Sequence, residues 1–273
     1  MAQIIIITDL DGTLLHPETY SFDKAMPSLK LIKERNIPLI FCSSKTRAEI
    51  EIYRERLENK HPFISENGGG IFIPEGYFRF PIEGNLKDDF KIITLGRHYN
   101  EIRRIFLDIR RKTGIRVRGF GDMNTEDVSL LTGITIFDAG LAKEREFDET
   151  FIFEEGEERV SEFLYAIESS GLQWTRGRYY HILGAHDKGK AVMILKGYYE
   201  KVFDRIIIIG LGDSINDLTL LRNVDYPVLV RKEDGSYDPG IGLPYLIRAN
   251  GVGPEGWNEA VVLIIDKIIR ENK

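Results

Sequence analysis

Acidic residues follow two runs of isoleucine that lie far apart in the chain. Ile4–Ile7 leads into Asp9 and Asp11, and Ile206–Ile209 leads into Asp213. Short apolar runs of β-branched residues followed by glycine are typical of strands buried on both faces of a parallel sheet. Such sheets bind ligands at the carboxyl ends of their strands, so the carboxylates converge if the two strands are neighbours. Because clustered carboxylates stay ionised only beside a cation and oxygen ligands favour Mg²⁺, we predict a magnesium site for anionic chemistry.

The composition argues against several classes of protein. With 273 residues, 42% of them apolar, the chain can form one large or two ordinary domains. The net charge is −6 and no basic run is present, so no nucleic-acid partner is expected. The single cysteine, Cys42, cannot form an internal disulfide, which favours a reducing compartment. The apolar stretches are shorter than the roughly 18 residues of a membrane span, and the first strand begins too early for a signal peptide. We therefore expect a cytoplasmic protein without a membrane partner, of open oligomeric state.

The periodicity predicts an α/β fold, namely a doubly wound parallel, Rossmann-like sheet that is interrupted by an insert. Strands and helices alternate in residues 1–84 and 186–273, which are assigned to the core, and Thr46 to Glu49 predicts a capping box. In residues 85–185 short strands surround two longer helices, so an inserted α+β cap is predicted there. The elements expected in the cap are strands at Ile92–Leu95, Ile134–Phe137, Phe151–Phe153 and Tyr179–Leu183, and helices at Tyr99–Ile109 and Val160–Ile167. We expect this cap to open and close about hinges at Gly84 and Gly184.

Motifs in four places resemble those of a known enzyme family. Asp9-Leu10-Asp11-Gly12-Thr13, Ser43, Lys188 and Gly212-Asp213 with Asn216-Asp217 are similar, in order and strand context, to the four motifs of the haloacid dehalogenase-like (HAD) phosphatases. The insert between the second and third motifs resembles the C2-type cap of that superfamily. The segments that resemble its mannosyl-3-phosphoglycerate phosphatase family are Ser43-Ser44-Lys45-Thr46, Ser65-Glu66-Asn67-Gly68-Gly69, Leu131-Thr132-Gly133, Arg145-Glu146-Phe147-Asp148-Glu149, Gly177-Arg178-Tyr179-Tyr180-His181 and Gly253-Pro254-Glu255-Gly256-Trp257-Asn258-Glu259.

The resemblance implies how these residues hydrolyse a phosphate ester. Asp9 attacks phosphorus and becomes an aspartyl phosphate, while Asp11 protonates the leaving oxygen and then deprotonates the hydrolytic water. Ser43 and Lys188 donate hydrogen bonds to the phosphoryl oxygens. The residues expected around Mg²⁺ are Asp9 through a carboxylate oxygen, Asp11 through its backbone carbonyl, Asp213, and behind them Asn216 and Asp217.

The substrate that the resemblance implies is 2-O-mannosyl-3-phosphoglycerate, which carries a phosphate, a carboxylate and a neutral sugar ring. The carboxylate needs a guanidinium or ammonium partner, and the family register places Lys45 or Arg178 there. The sugar needs hydroxyl, amide and carboxylate partners. The residues expected to contact the substrate in this way are Glu66, Asn67, Thr132 and Glu149, with backbone amides at Gly68 and Gly69.

Other functions stay open at this point. The core motifs do not identify the leaving group, so a phosphatase for another phosphorylated sugar or for glucosyl-3-phosphoglycerate is the second candidate, ahead of a hexose-phosphate mutase. A non-enzymatic phosphate-sensing module would be expected to have lost Asp9, Asp11, Lys188 or Asp213, and all four are present. His181 is expected to be structural or to lie at the rim of the site.

Overall fold

The computed structural model of the protein describes residues 2–154 and 159–271, and the strands of those residues form two sheets. In chain order the strands are β1 (Gln3–Thr8), β2 (Leu39–Cys42), β3 (Phe63–Ser65), β4 (Gly70–Pro74), β5 (Asn85–Lys87), β6 (Phe90–Thr94), β7 (Val117–Gly119), β8 (Asp148–Phe153), β9 (Gln173–Arg176), β10 (Tyr180–Leu183), β11 (Ile206–Gly212), β12 (Tyr226–Arg231) and β13 (Ile247–Val252). The α-helices are α1 (Met26–Glu34), α2 (Arg47–Arg56), α3 (Tyr99–Thr113), α4 (Thr125–Thr132), α5 (Ile136–Ala142), α6 (Val160–Ser169), α7 (Lys188–Glu200), α8 (Leu218–Leu221) and α9 (Pro254–Glu271). Within the described ranges, none of the helices has both the length and the hydropathy of a bilayer span.

The larger sheet is the doubly wound core that the sequence predicts. Its strand order is β13-β12-β11-β1-β2-β3-β4-β6-β5, and the strands from β13 to β3 run parallel. Along β1, Ile4 and Ile6 pack on one side with residues of α1 and α9, whereas Ile5 and Ile7 pack on the other side with residues of α7 and α8. The isoleucine run is uninterrupted because both faces of this strand are covered.

The smaller sheet has the order β7-β8-β10-β9 and is antiparallel throughout. One face packs on α3 and α6, where Phe106, Phe151 and Phe163 are fully buried against one another. Helices α4 and α5 enclose a second apolar cluster that contains Val128 and Ala139. We call the smaller sheet together with α3 to α6 the cap. Its antiparallel strands and packed helices confirm the prediction of an α+β insert.

Two strand predictions for the insert are wrong. The pattern places Ile92–Leu95 in the cap, whereas β6 pairs with β4 and β5 pairs with β6, so both extend the larger sheet. The pattern also predicts a strand at Ile134–Phe137, whereas α5 begins at Ile136. The Thr135 hydroxyl accepts a hydrogen bond from the N–H of Asp138 at 3.1 Å. This N-cap makes a β-branched segment the start of a helix.

The chain passes between the two sheets at 95–98 and at 184–187. The first of these crossings differs from the predicted hinge at Gly84 and from the predicted boundary at residue 85. Gly84 precedes β5 in the core, with φ of 126°, and a Cβ at this position would lie 2.4 Å from the carbonyl oxygen of Ile92. Residue 84 is therefore fixed against the larger sheet, and the crossing lies about ten residues later.

Candidate active site

The register of β1 and β11 brings the acidic strand ends together. The two strands are parallel neighbours, so Asp9 and Asp213 follow the same edge of the sheet. Carboxylate oxygens of Asp9, Asp213 and Asp217 lie within 4.8 Å of one another, which confirms that the strand ends converge. Asp217 is held in place because its Oδ2 accepts hydrogen bonds from the backbone N–H groups of Asp213 (3.0 Å) and Ser214 (3.2 Å).

Lys188 brings a buried ammonium group among these carboxylates. Asp187 caps α7 and thereby places Lys188 in the first turn of that helix. Lys188 Nζ donates to Asp9 Oδ1 at 2.7 Å and to Asp217 Oδ1 at 2.6 Å. We call Asp9, Asp213, Asp217 and Lys188 the acidic cluster. Its three carboxylates share one ammonium group, so the cluster favours the binding of further positive charge.

The electrostatics of the acidic cluster fit a hard cation. Burial, which Lys188 offsets only in part, raises the pKa of Asp9 to about 7. Burial and the nearby carboxylates of Asp217 and Asp9 also raise the pKa of Asp213 well above its ordinary value. Among residues 2–154 and 159–271, the buried Oδ1 of Asp11 has no hydrogen-bond partner. Oxygen donors without nitrogen or sulfur suit a hard divalent ion, which would hold these groups ionised.

Gly12 allows Asp213 to approach the loop after β1. The backbone of Gly12 has a φ of 73°, and a Cβ at this position would lie 2.9 Å from Asp213 Oδ2. The hydroxyl of the next residue, Thr13, donates to Asp213 Oδ1 at 3.3 Å. Any larger residue at position 12 would therefore strain the backbone and displace a carboxylate of the acidic cluster.

Asp11 is paired with a second ammonium group, that of Lys45. Lys45 Nζ lies 3.1 Å from Asp11 Oδ2 and 3.1 Å from Glu49 Oε1, and its side chain is buried. Burial lowers the pKa of Lys45, but Asp11 and Glu49 outweigh this effect and raise it well above its ordinary value. The predicted capping box of α2 is confirmed, since the Thr46 hydroxyl accepts from Glu49 N–H and Glu49 accepts from Thr46 N–H. The cap of this helix thus fixes Glu49 beside Lys45.

A cleft of about 600 Å³ lies next to the acidic cluster, between the core and the cap. The predicted site residues that line it are Asp9, Asp11, Lys45, Thr132, Arg178, Asp213 and Asn216. Arg178 is exposed at the cleft, and its Nη1 donates to the hydroxyl of Tyr20 at 3.3 Å. Tyr20 belongs to the core, so this hydrogen bond joins core and cap across the cleft.

Other predicted substrate contacts lie away from the cleft. In the described part of the chain, the cleft lining does not include Glu66, Asn67, Gly68, Gly69 or Glu149. The two glycines serve packing instead: a Cβ at Gly68 would lie 2.3 Å from the carbonyl oxygen of Asp187, and one at Gly69 would lie 2.4 Å from the side chain of Phe147. The glycine run lets the loop after β3 approach both α7 and the cap.

Glu66 binds the backbone of the cap instead of facing the cleft. Its side chain is fully buried, and its carboxylate accepts hydrogen bonds from the N–H groups of Glu146 (2.9 Å), Phe147 (2.7 Å) and Asp148 (2.9 Å). The Nε of Arg145 lies 3.6 Å from Glu66 Oε2, and Arg145 also forms an ion pair with Asp148. We call Glu66, Arg145 and Asp148 the clamp, because they join the loop after β3 to the start of β8.

Glu149 lies on the opposite face of β8 from the cleft. Its Oε1 accepts hydrogen bonds from Gly121 N–H (2.9 Å) and Arg103 Nη1 (3.3 Å), on the side of α3. Successive side chains of a strand point to opposite faces, and the next residue, Thr150, lines the cleft. His181, which is opposite Thr150 in the β8–β10 pairing, lines the cleft as well. The predicted contact is therefore displaced by one residue along the strand.

Of the predicted residues Ser43 and Asn216, the cleft lining in the described part of the chain includes only Asn216. Ser43 is fully buried directly after β2, where its hydroxyl accepts a hydrogen bond from the N–H of Lys45 at 3.3 Å. Asn216 follows β11 and donates to the side-chain oxygen of Asn67 at 3.3 Å. Asn67 in turn donates to Asp148 Oδ2 at 3.2 Å. A chain of hydrogen bonds thus connects the loop of the acidic cluster with the clamp.

Several residues of the cleft wall are not predicted from the sequence. Tyr20 and Thr150 line the cleft but belong to no catalytic pattern. Arg145 and His181 also line it, and the family-like segments that contain them are the signal that could have found them. Such a signal marks a segment, but it does not show which side chain of a strand faces the ligand.

Comparisons with known proteins agree with this geometry. A sequence model of the haloacid dehalogenase-like hydrolases matches residues 6–234, so the chain belongs to this family of hydrolases. A protein of Methanococcoides burtonii named glucosyl-3-phosphoglycerate/mannosyl-3-phosphoglycerate phosphatase is 51% identical over 269 residues, which cover 96% of this chain and 97% of the relative. The mannosyl-3-phosphoglycerate phosphatase of Pyrococcus horikoshii is 37% identical over 227 residues, which cover 83% of this chain and 90% of the relative.

Solved structures share the fold at low sequence identity. A protein of Thermoplasma acidophilum aligns with a TM-score of 0.68 and 17% identity, covering 96% of this chain and 98% of its own. The sucrose-phosphatase of Synechocystis sp. PCC6803, solved with sucrose and phosphate, aligns with a TM-score of 0.62 and 15% identity over 96% and 98% of the two chains. At these identities the similarity shows a common fold of core and cap.

Proposed function

We propose that the protein hydrolyses the phosphate ester of 2-O-mannosyl-3-phosphoglycerate and releases mannosylglycerate and phosphate. The observation that carries this proposal is the 51% identity, over 96% of the chain, to the M. burtonii protein that is named for this activity. Because that name also includes the glucosyl compound, glucosyl-3-phosphoglycerate is a second substrate of the proposal. The partner of the protein is thus a phosphorylated glycoside, for which a cleft of about 600 Å³ has an ordinary size.

In the proposed reaction Asp9 is the nucleophile. Its carboxylate forms a bond to phosphorus while the bond between phosphorus and the glycerate oxygen breaks, which leaves an aspartyl phosphate. Lys188, at 2.7 Å from Asp9 Oδ1, orients this carboxylate and favours its ionised form. Asp11 gives a proton to the leaving oxygen and takes one from the water that hydrolyses the aspartyl phosphate, which restores Asp9. Ser43 and Lys188 supply donors for the phosphoryl oxygens.

The proposed cofactor is Mg²⁺, which the carboxylates of Asp9 and Asp213 and the backbone carbonyl of Asp11 would hold. When bound, this ion neutralises charge on the phosphoryl group. The surplus of carboxylates in the acidic cluster supports this assignment. Asp217 is a weaker candidate ligand, because Lys188 and two backbone N–H groups already occupy its oxygens. Asn216 and Asp217 orient the surrounding loop.

We also propose how the cap moves and where the protein is located. Core and cap are separate domains, and the cap moves about the segments 95–98 and 184–187, with the cleft between them as the site. The location is cytoplasmic, which is supported by a chain whose single cysteine, Cys42, is a buried thiol.

The test is phosphate release from a panel of esters, measured with Mg²⁺ present. The panel contains the mannosyl and glucosyl phosphoglycerates, mannose 6-phosphate, 3-phosphoglycerate and 4-nitrophenyl phosphate. We expect the highest kcat/KM for the two glycosyl phosphoglycerates. A higher kcat/KM for mannose 6-phosphate would replace the proposal with a phosphatase for another sugar phosphate, and a requirement for an activating sugar bisphosphate would indicate a mutase.

A further inference from the structure

A histidine of the cap faces the cleft on the same side of the sheet as two polar neighbours. In the antiparallel pairing of β8 and β10, His181 is opposite Thr150 and Leu183 is opposite Asp148. The alternate residues Phe151 and Ile182 pack against α3 and α6. His181 therefore points away from those helices and toward the cleft, which it lines with 5% of its surface exposed.

Asp148 fixes the orientation of this imidazole. His181 Nδ1 lies 3.0 Å from Asp148 Oδ2, and Asp148 is fully buried. Although burial acts in the opposite direction, Arg145 and His181 lower the pKa of Asp148 to about 2, so the carboxylate is ionised at neutral pH. An ionised carboxylate accepts hydrogen bonds only, so Nδ1 carries the ring proton that points to Asp148. Nε2 is then the ring atom left for a ligand, and in residues 2–154 and 159–271 it has no hydrogen-bond partner.

The core determines where Asp148 lies. The clamp ties the backbone N–H of Asp148 to Glu66 at 2.9 Å, and Arg145 also donates to the carbonyl oxygen of Ser44 at 2.7 Å. Asn67 adds a hydrogen bond from the core to Asp148 Oδ2 at 3.2 Å. His181 therefore belongs to the cap by sequence, but its orientation is set by the loop that follows β3 of the core.

The cleft wall around His181 has the chemistry of a carbohydrate site. Thr132 and Thr150 line the same cleft as His181, together with the aromatic residues Phe120 and Tyr179. The Thr132 hydroxyl donates to the carbonyl oxygen of Val128 at 2.6 Å, and the Thr150 hydroxyl lies 3.3 Å from His181 Nδ1, so each can serve a sugar only through its remaining hydrogen-bonding capacity. Neutral hydroxyls and aromatic rings suit a sugar, whose ring presents hydroxyl groups and apolar C–H faces. The charge of Arg145 on this wall is balanced by the two carboxylates of the clamp.

We infer that His181 is a specificity-determining residue that hydrogen-bonds, through Nε2, a hydroxyl of the sugar attached to the phosphorylated group, and that Asp148 is its positioning residue. This inference rests on the proposed function for the identity of the sugar. His181 contributes to recognition of the leaving group and has no part in phosphoryl transfer. His181, on β10, takes the place of Glu149, which lies on the opposite face of β8, as the partner that the cap sheet offers to the sugar.

The experiment compares kcat/KM for 2-O-mannosyl-3-phosphoglycerate with kcat/KM for 4-nitrophenyl phosphate, and the quotient of the two is the specificity ratio. His181→Asn keeps a donor near Asp148 but removes the atom at the Nε2 position, so the ratio should fall about tenfold, mainly through KM. His181→Gln places a polar nitrogen near the Nε2 position and should restore part of the ratio. Tyr165→Asn, in an exposed aromatic residue of α6 in the cap and outside the cleft, is the control and should leave the ratio unchanged.

Asp148→Asn tests the positioning role. The variant should lower the specificity ratio in the same direction as His181→Asn. When it is combined with His181→Asn, the Asp148→Asn substitution should lower the specificity ratio by less than about a further twofold. Both substitutions disrupt the same interaction, so their effects should not add. Thermal melts of all variants report folding separately from this ratio.

The possible outcomes separate this inference from the proposed function. An unchanged ratio in His181→Asn, or equal losses on both substrates, would overturn the inference and give His181 a structural role. If the wild-type protein hydrolyses another sugar phosphate but not the glycosyl phosphoglycerates, the proposed function fails, and the ratio measured with that sugar phosphate decides the inference. Activity on 4-nitrophenyl phosphate alone would overturn both.

Discussion

Two buried charged groups lie close to the cleft, and they differ in how completely the protein satisfies them. In the acidic cluster, three carboxylates share the ammonium of Lys188, and burial raises the pKa values of Asp9 and Asp213. In the clamp, the carboxylate of Glu66 receives three backbone N–H groups, and Asp148 pairs with Arg145. The acidic cluster has three carboxylates for one ammonium group and lies next to the cleft, so it fits a cationic ligand. Burial also raises the pKa of Glu66 in the clamp, to about 8, but the contacts of Glu66 are with the cap backbone and Arg145, which fits a structural role.

The largest effect is expected in the acidic cluster. Asp9→Asn keeps the shape of the side chain but removes its charge, so phosphate release should fall by roughly 10⁴-fold or more, as for other removed nucleophiles. The thermal midpoint should stay near that of the wild type, because the substitution also relieves repulsion from Asp217 and Asp213. Steady-state assays and thermal melts check both parts. One tenth of the wild-type activity in this variant would exclude a covalent role for Asp9.

The clamp should respond in stability rather than in chemistry. Glu66→Gln leaves a buried guanidinium and backbone N–H groups less well satisfied, so the free energy of unfolding should fall by about 3 kcal/mol. Hydrolysis of 4-nitrophenyl phosphate by the folded variant should stay within a few-fold of the wild type. Urea unfolding measures the first quantity. Glu75→Gln, in an exposed glutamate of the core, is the control and should change stability by less than about 0.5 kcal/mol.

Metal addition should distinguish the two groups directly. Mg²⁺ at about 100 times its Kd should stabilise the wild type by about 2.7 kcal/mol, because the ion binds the folded state alone. Asp213→Asn should abolish this gain, whereas Asp148→Asn should retain it. Thermal melts with and without MgCl₂ give the answer. An equal gain in both variants would show that the acidic cluster is not the metal site.

The pH dependence of stability should reveal the charge of the clamp. The pKa of Asp148 is about 2 in the fold, below its ordinary value of 3.8, so its ionised form stabilises the protein above about pH 4. That contribution, about 2 kcal/mol, is lost as the pH falls from about 4 towards 2. The difference in unfolding free energy between the wild type and Asp148→Asn should therefore narrow over this range. A constant difference between pH 5 and pH 3 would contradict the depressed pKa.

The smallest effect concerns a residue outside both groups. Lys45 already pairs with Asp11 and Glu49, whereas the guanidinium of Arg178 donates to the neutral hydroxyl of Tyr20, so Arg178 is the better partner for the substrate carboxylate. Because the Arg178 side chain is exposed, the substitution Arg178→Ala should lower kcat/KM for the glycosyl phosphoglycerates by only about tenfold.

Hydrolysis of 4-nitrophenyl phosphate, which has no carboxylate, should hardly change in Arg178→Ala. Arg104→Ala, in an exposed arginine of α3, controls for the loss of a positive charge from the cap. If both substrates lose activity equally, Arg178 supports structure rather than recognition.

The sequence predicts the core and the acidic cluster well, because each step is local. Residues 4–7 identify a strand, Asp9 follows the end of that strand, and Asp213 follows the end of its parallel neighbour. The capping box of α2 is equally local, since Thr46 and Glu49 are three residues apart. In each case the residue type and its position in one element are sufficient to place the side chain.

The side of the cleft that the cap forms is predicted less well, because it depends on packing and hydrogen bonds between elements, which short sequence patterns do not encode. Glu149 and Thr150 are adjacent, and the packing of Phe151 against α3 and α6 decides which of them faces the cleft. Thr135 lies in a β-branched segment, yet its hydroxyl begins a helix. A carboxylate such as that of Glu66 can accept hydrogen bonds from sugar hydroxyls. In the fold, however, the Glu66 carboxylate accepts its hydrogen bonds from the backbone N–H groups of residues 146–148.

The attachment of Glu66 to the cap backbone has a consequence for protein engineering. A cap that is transplanted into another core of this fold would bring the backbone N–H groups of residues 146–148 with it. These three groups would need a carboxylate from the recipient core. A graft of residues 97–184 alone would leave those N–H groups without their acceptor and would leave Arg145 with Asp148 but without Glu66. Chimeras intended to exchange specificity should therefore transfer the loop from Ser65 to Gly69 together with the cap, as one unit of two separate chain segments.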